Sequence, residues 1–146
     1  MSVMFHLAFP IYDMQKAKYF YKDMLGCEVG RASNYAMIFN LGGHQIVAHK
    51  VDEQPPKQST IYPRHFGLIY KDKSAFHAFI DTLNARGVSF EIPLKTRFPN
   101  TEIEHESFFL LDPSNNLLEF KHYTHPSAIF GGQVFASVGE APSRES

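Results

Sequence analysis

Among the eight histidines of this chain, two stand at matching places in a repeated phrase. His6 sits in Phe5-His6-Leu7-Ala8-Phe9-Pro10-Ile11-Tyr12-Asp13, and His65 in Arg64-His65-Phe66-Gly67-Leu68-Ile69-Tyr70-Lys71-Asp72, with the same offset between the two histidines as between the two aspartates. A third group stands out in the run Leu117-Leu118-Glu119-Phe120, because an ionised carboxylate among apolar residues is costly to desolvate unless a cation neutralises it. Two neutral imidazoles and one carboxylate make a set that holds one divalent metal on one face and leaves other positions open to substrate, water or oxygen. His6, His65 and Glu119 are therefore the candidate metal ligands. The competing reading is a pair of ordinary strand histidines and a glutamate paired with Lys121 or Arg97.

The elements that must position these groups also repeat. After each aspartate, an N-cap type, apolar residues recur near the helical period: Met14, Ala17, Phe20 and Met24 in the first copy, Phe76, Phe79, Ile80 and Leu83 in the second. Each pattern stops at a glycine, Gly26 or Gly87. Three short strand patterns follow in each copy, over 27–31, 35–40 and 44–50, then 89–93, 105–111 and 116–122, with turns at Gly42-Gly43 and Asp112-Pro113-Ser114-Asn115. The expected fold is α+β: two βαβββ modules forming a curved mixed sheet around a metal-binding cavity, helices outside. Module one covers 3–50, a proline-containing linker 51–63, and module two 64–122, together one domain over 1–122. An extension over 123–146 has no clear period. Its last residues, from 139, are expected to be disordered, while Ile129-Phe130 and Val134-Phe135 are expected to dock on the body or on a partner chain.

Strand alternation assigns faces. Phe5, Leu7 and Phe9 go to the helix and turn His6 toward the cavity. Phe66, Leu68 and Tyr70 do the same for His65, and Leu118 and Phe120 turn Leu117, Glu119 and Lys121 inward. Candidate acid/base residues are His49 and His105. Arg97 is a candidate clamp for an anionic substrate group at the cavity mouth. Phe39, Phe109 and Ala48 are expected to line the substrate cavity, which suits an aromatic or apolar ligand.

Composition narrows the partners. The chain has 146 residues, 44% hydrophobic and 20% charged, with a formal net charge of -1, so it carries no field for a polyanion and nucleic acid is not expected. No apolar run reaches the roughly 20 residues needed to cross a bilayer. One cysteine, Cys27, and an N-terminus without the regions of a signal peptide lead us to expect the cytoplasm.

The run from His6 to Tyr123 resembles the vicinal oxygen chelate superfamily, which includes glyoxalase I, bleomycin and fosfomycin resistance proteins and extradiol ring-cleaving dioxygenases. The resemblance is carried by His6-Leu7-Ala8-Phe9 with Asp13, by Phe20-Tyr21-Lys22-Asp23-Met24-Leu25-Gly26, by His65-Phe66-Gly67, and by Leu111-Asp112-Pro113-Ser114-Asn115-Asn116-Leu117-Leu118-Glu119-Phe120. It implies one divalent metal on His6, His65 and Glu119. It also implies a homodimer, in some relatives with the site completed across chains, so that His6 would serve a neighbour's His65 and Glu119. Within the superfamily, Gly43 to His49, Arg97-Phe98 and Phe109 to Pro113 are most similar to a group of predicted extradiol-type dioxygenases, which implies Fe(II), with Zn(II), Mn(II) or Ni(II) as other ions such a site accepts. Two departures discriminate. Laying 44–50 on 115–121 sets Ala48 opposite Glu119, where glyoxalase I enzymes resemble one another in carrying a second carboxylate. Phe109 stands where extradiol enzymes are similar in having a tyrosine. The resemblance thus implies a metal-dependent dioxygenase acting on a small vicinal-oxygen substrate. The alternatives are a metal-assisted isomerase, lyase or thiol transferase, and a non-enzymatic small-molecule-binding resistance protein.

Overall fold

The computed structural model describes residues 2–135, 138 and 139. The first module comprises β1 (His6–Ile11), α1 (Met14–Lys18), a π-helical turn over Tyr19–Met24, β2 (Glu28–Ala32), β3 (Ala36–Leu41) and β4 (His44–Lys50). The second comprises β5 (Phe66–Ile69), α2 (Lys73–Ala85), β6 (Ile92–Arg97), β7 (His105–Leu111) and β8 (Leu117–Tyr123). Both helices start as the sequence implies. The Asp13 carboxylate accepts from the Lys16 backbone N–H and the Asp72 carboxylate from those of Ser74 and Ala75, satisfying donors that the first helical turn leaves open. The first helix departs from the simple pattern after Lys18, where the wider π turn buries the adjacent rings of Phe20 and Tyr21 together.

The expected curved sheet is two sheets. β1 lies parallel to β4 in the order β1-β4-β3-β2, and β5 lies parallel to β8 in the order β5-β8-β7-β6. The architecture is α+β with two βαβββ modules. The helix-facing sides of both sheets feed one aromatic core, in which the Phe9 and Phe66 rings meet across the modules at 5.2 Å. Polar bonds lock the same joint: the fully buried Tyr21 hydroxyl donates to Asp112 at 2.6 Å, and Asn116 Nδ2 donates to the Pro10 carbonyl at 2.8 Å. No helix or strand lies between residues 50 and 66.

The sixth strand is displaced from its expected place. It covers Ile92–Arg97 rather than 89–93, because β6 is a sheet edge, where Pro93 lacks only an N–H that no neighbour would accept. A register shift between Ile92 and Lys95 accompanies it. Arg97, expected near the cavity mouth, becomes the last residue of a strand, opposite His105. Beyond β8 the chain makes a 3-10 turn over Pro126–Ile129 that buries Ala128. The expectation of disorder toward the C-terminus concerns mainly 140–146, which lie outside the described residues. No helix among the described residues is long and apolar enough to cross a membrane.

Candidate metal centre

The parallel pairing of β5 with β8 sets Gly67 beside Glu119, and a Cβ on Gly67 would collide with the Glu119 backbone. The missing side chain therefore lets the two strands approach where their functional groups must meet. His65 immediately precedes β5 and shares the parity of Gly67, so its ring lies on the Glu119 side of the sheet. Nε2 of His65 is 3.3 Å from Oε1 of Glu119. The opposite ring nitrogen, Nδ1, is 2.7 Å from the Ile61 carbonyl, an acceptor only, so Nδ1 carries a proton and Nε2 is left to face the carboxylate. That is the tautomer a metal-ligating histidine needs, with its outer nitrogen fixed by a backbone carbonyl.

Two acceptors this close require a cation or a proton between them. With a proton there, hydrogen bonding to Glu119 raises the His65 pKa against the opposing effect of burial. Burial disfavours ionised Glu119, but the His65 and Ser107 hydrogen bonds and the nearby Lys121 charge outweigh it and hold the pKa below the usual carboxylate range. The side chains remain reachable, at 22% and 11% exposure. A divalent metal would replace that proton between a neutral imidazole and a carboxylate, so the two residues fit half of such a centre.

A cavity of about 590 Å³ opens above this pair. On its floor the Phe109 ring meets His65 edge-on at 5.1 Å. Further along, Ser107 is fully buried and its hydroxyl accepts from Arg97 Nε at 2.7 Å. Arg97 is only 6% exposed, and its guanidinium carbon lies 5.7 Å from the Phe109 ring centre. Lys121 Nζ is 3.7 Å from Glu119 Oε1 and 5.3 Å from the centre of the Tyr123 ring. His105, as its parity implies, lines the same cavity, with its ring 4.7 Å from that of Tyr123. Burial, together with the Lys121 and Arg97 charges, lowers its pKa against the Ile103 carbonyl and Glu119, so the imidazole is neutral near pH 7. Nδ1 lies 3.0 Å from the Ile103 carbonyl and donates to it, which leaves Nε2 as a base.

Sequence reasoning passed over Tyr62, Ser107 and Tyr123 as site residues. Alternation counted outward from Glu119 along β8 would have found Tyr123, and along β7 from Phe109, Ser107. The last wall had no such signal: Ile129, Phe135 and their neighbours in the extension close one side of the cavity.

The first sheet places its candidates elsewhere. No residue before Ile61 lines this cavity, and His6 is an exposed side chain whose Nδ1 lies 2.8 Å from Gln45 Oε1. Among the described residues of one chain, no three metal-binding side chains come together. The expected meeting of His6 with His65 and Glu119 inside one chain is thereby corrected: each histidine belongs to its own sheet, and the two concave faces open into separate spaces. Two cavity residues are corrected as well. Ala48 and Phe39 are fully buried on the helix side, Ala48 level with Phe9 and Phe39 stacked on Tyr21 at 5.0 Å. Ala8 pairs with Val47 as Gly67 pairs with Glu119, so Val47, not Ala48, is the counterpart of Glu119. Valine cannot ligate either, and the inference of no second carboxylate on β4 survives the one-residue shift. The shift also reverses His49, which pairs with Pro10 and shares the exposed face of His6 instead of pointing at the helix.

A fold of paired βαβββ modules with a histidine–carboxylate pair on one concave sheet defines a class of small metal-dependent or small-molecule-binding proteins. The sequence model of the Glyoxalase/Bleomycin resistance protein/Dioxygenase superfamily matches residues 3–120, and the chain belongs to this superfamily. A glyoxalase/bleomycin resistance protein/dioxygenase from Alicyclobacillus acidocaldarius is similar at 39% identity, with a TM-score of 0.83 over 88% of this chain and 96% of that one. Two more distant structures share the fold. One is a genomically encoded fosfomycin resistance protein from Listeria monocytogenes, at 18% identity and TM-score 0.65 over 88% of this chain and 98% of that one. The other is a lactoylglutathione lyase from Agrobacterium tumefaciens, at 19% and 0.63 over 89% and 96%. The extension that walls the cavity lies beyond the matched residues.

Proposed function

We propose that this protein is a metal-dependent dioxygenase of the extradiol type, acting as a homodimer on a small vicinal-oxygen substrate, with each metal held by His65 and Glu119 of one chain and His6 of the other. The observation that carries the reading is the imidazole Nε2 of His65 held toward Glu119, with Val47 where a fourth protein ligand would stand. Two histidines and one carboxylate leave room for both substrate and dioxygen, whereas a second carboxylate would take one of those positions. A second copy supplies the third ligand because His6 lies on an exposed face preceded by Val3, Met4 and Phe5, at 78%, 65% and 61% exposure, apolar surface that a partner would cover.

A bound Fe(II) would supply the electron transfer to dioxygen that no side chain can. The protein's own groups do the rest. His105 Nε2, neutral and facing the cavity, accepts a substrate hydroxyl proton, and its buried setting keeps water from competing for it. Phe109 and the extension present apolar walls that orient a ring edge-on to His65. His49 lies on the open face with His6 and outside the cavity, so the acid/base role goes to His105.

The test is metal analysis of protein purified without oxygen, followed by oxygen uptake with a panel of catechols. Iron-dependent uptake with formation of a coloured ring-opened product is expected. Tightly held zinc with no uptake under any loading would overturn the oxygenase reading in favour of Lewis-acid isomerase or transferase chemistry. No metal at all would favour a binding protein.

A further inference from the structure

The cavity is polarised along the strands. Register places Glu119 level with Phe109, Lys121 level with Ser107, and Arg97 and Tyr123 level with His105, so the groups follow one another in steps of two residues away from the His65 end. Two residues of strand span roughly 7 Å. Along this wall there is one acidic side chain among the described residues, Glu119, and there are two cations, Arg97 and Lys121. The guanidinium is held rather than swinging: Ser107 accepts from its Nε, and Phe109 lies against it. When Glu119 serves as a metal ligand, its charge is committed to that metal, and the cations beyond it are balanced by no other carboxylate of the described wall.

We infer that the substrate is a small organic anion that bears its metal-binding oxygens at one end and a carboxylate or phosphonate at the other, the anionic end held between Lys121 and Arg97. The inference rests on the proposed role of Glu119 and His65 and adds the substrate class. A planar guanidinium and an ammonium on one wall suit either oxyanion, since both present two or more oxygens to hydrogen-bond donors. The body between the two ends is flat and apolar, because Phe109 floors it and the extension bounds it on a side. A ring with vicinal hydroxyls and an acid group on its far side has these dimensions, roughly 6–7 Å from hydroxyl oxygen to acid carbon, equal to one two-residue step.

Calorimetric titration of the full chain decides the matter. Zinc-loaded protein, which cannot turn over oxygen, is titrated with 3,4-dihydroxybenzoate and with its neutral isostere 3,4-dihydroxybenzamide. Chelator-treated protein is titrated with benzoate, phenylphosphonate and benzamide. The acids are expected to bind at least about tenfold more tightly than the amides in both forms, as the loss of one charge-assisted hydrogen bond implies. Preference for benzoate or for phenylphosphonate tells a planar from a tetrahedral oxyanion, and either supports the inference. Arg97→Gln and Lys121→Met should each remove about tenfold of the acid affinity and leave amide affinity unchanged, with Arg97→Lys falling between. Equal affinity of acid and amide in the unaltered protein, a comparison that needs no variant to fold, overturns the inference. So does acid affinity that both substitutions leave intact. Failure of the metal reading looks different: the vicinal hydroxyls would then add nothing over benzoate in the zinc-loaded protein, while the preference for the acid would stand.

Discussion

The two sheets share a topology and a histidine at the same place, yet their concave faces differ in nearly everything else. The second bears a carboxylate, two cations, a neutral buried histidine and a wall lent by the extension. The first bears His6, Gln45, Val47 and His49 on a face open to solvent. The duplicated scaffold thus keeps one ligand in each copy, concentrates the chemistry in one, and leaves the other as a surface to be covered. Completion of the centre then depends on what that surface meets.

The largest effect expected from breaking this asymmetry is at its paired positions Glu119 and Val47. Glu119→Ala should lower metal affinity by on the order of 100-fold or more, beyond the loss of an outer-shell partner. Val47→Ala should leave metal content unchanged when both are measured by elemental analysis of the purified proteins. A second pair is Gly67 and Ala8. Gly67→Ala forces β5 from β8 and should cost about 1–3 kcal/mol in urea unfolding, with loss of metal affinity, because a backbone atom occupies the place of the new methyl. The reverse change in the first sheet, Ala8→Gly, should cost less than about 1 kcal/mol.

The joint between modules should respond independently of the site. Tyr21→Phe removes one of the donors to buried Asp112, whose carboxyl pKa burial raises while Tyr21, Asn116 and Ser114 hydrogen bonds hold it down. Unfolding should become easier by about 1–3 kcal/mol, with metal content retained. The smallest effect concerns pH. His105 has a folded-state pKa below its unfolded value of about 6.5, so the unfolded chain binds more protons in that window and stability falls as pH drops through it. Metal-free His105→Gln should lose less stability between pH 7.5 and 5.5 than the unaltered protein does, as read from thermal melts.

Much of this was legible because the repeat carries its own register. The parity of Phe66, Leu68 and Phe120 suffices to turn His65 and Glu119 to one side, and Asp13 and Asp72 mark the helix starts without ambiguity. The errors fall where a signal was missing. On β4, His44-Gln45-Ile46-Val47-Ala48 alternates weakly, and the Gly42-Gly43 turn is shorter than its counterpart, so aligning the strands by count slipped one residue and exchanged Val47 for Ala48. Pro93 read as an end because edge strands cannot be told from central ones by composition. That each sheet closes its own space, and that an aperiodic extension walls one of them, depends on packing between modules, which no local pattern records.

The claim that the centre is shared between chains has a direct test. His6→Ala and Glu119→Ala proteins should each bind little metal alone. Mixed, unfolded together and refolded, they should recover metal in about a quarter of all sites, since half of randomly paired dimers are mixed and each has one intact site of two. No recovery on mixing, or full metal binding by His6→Ala alone, would contradict it.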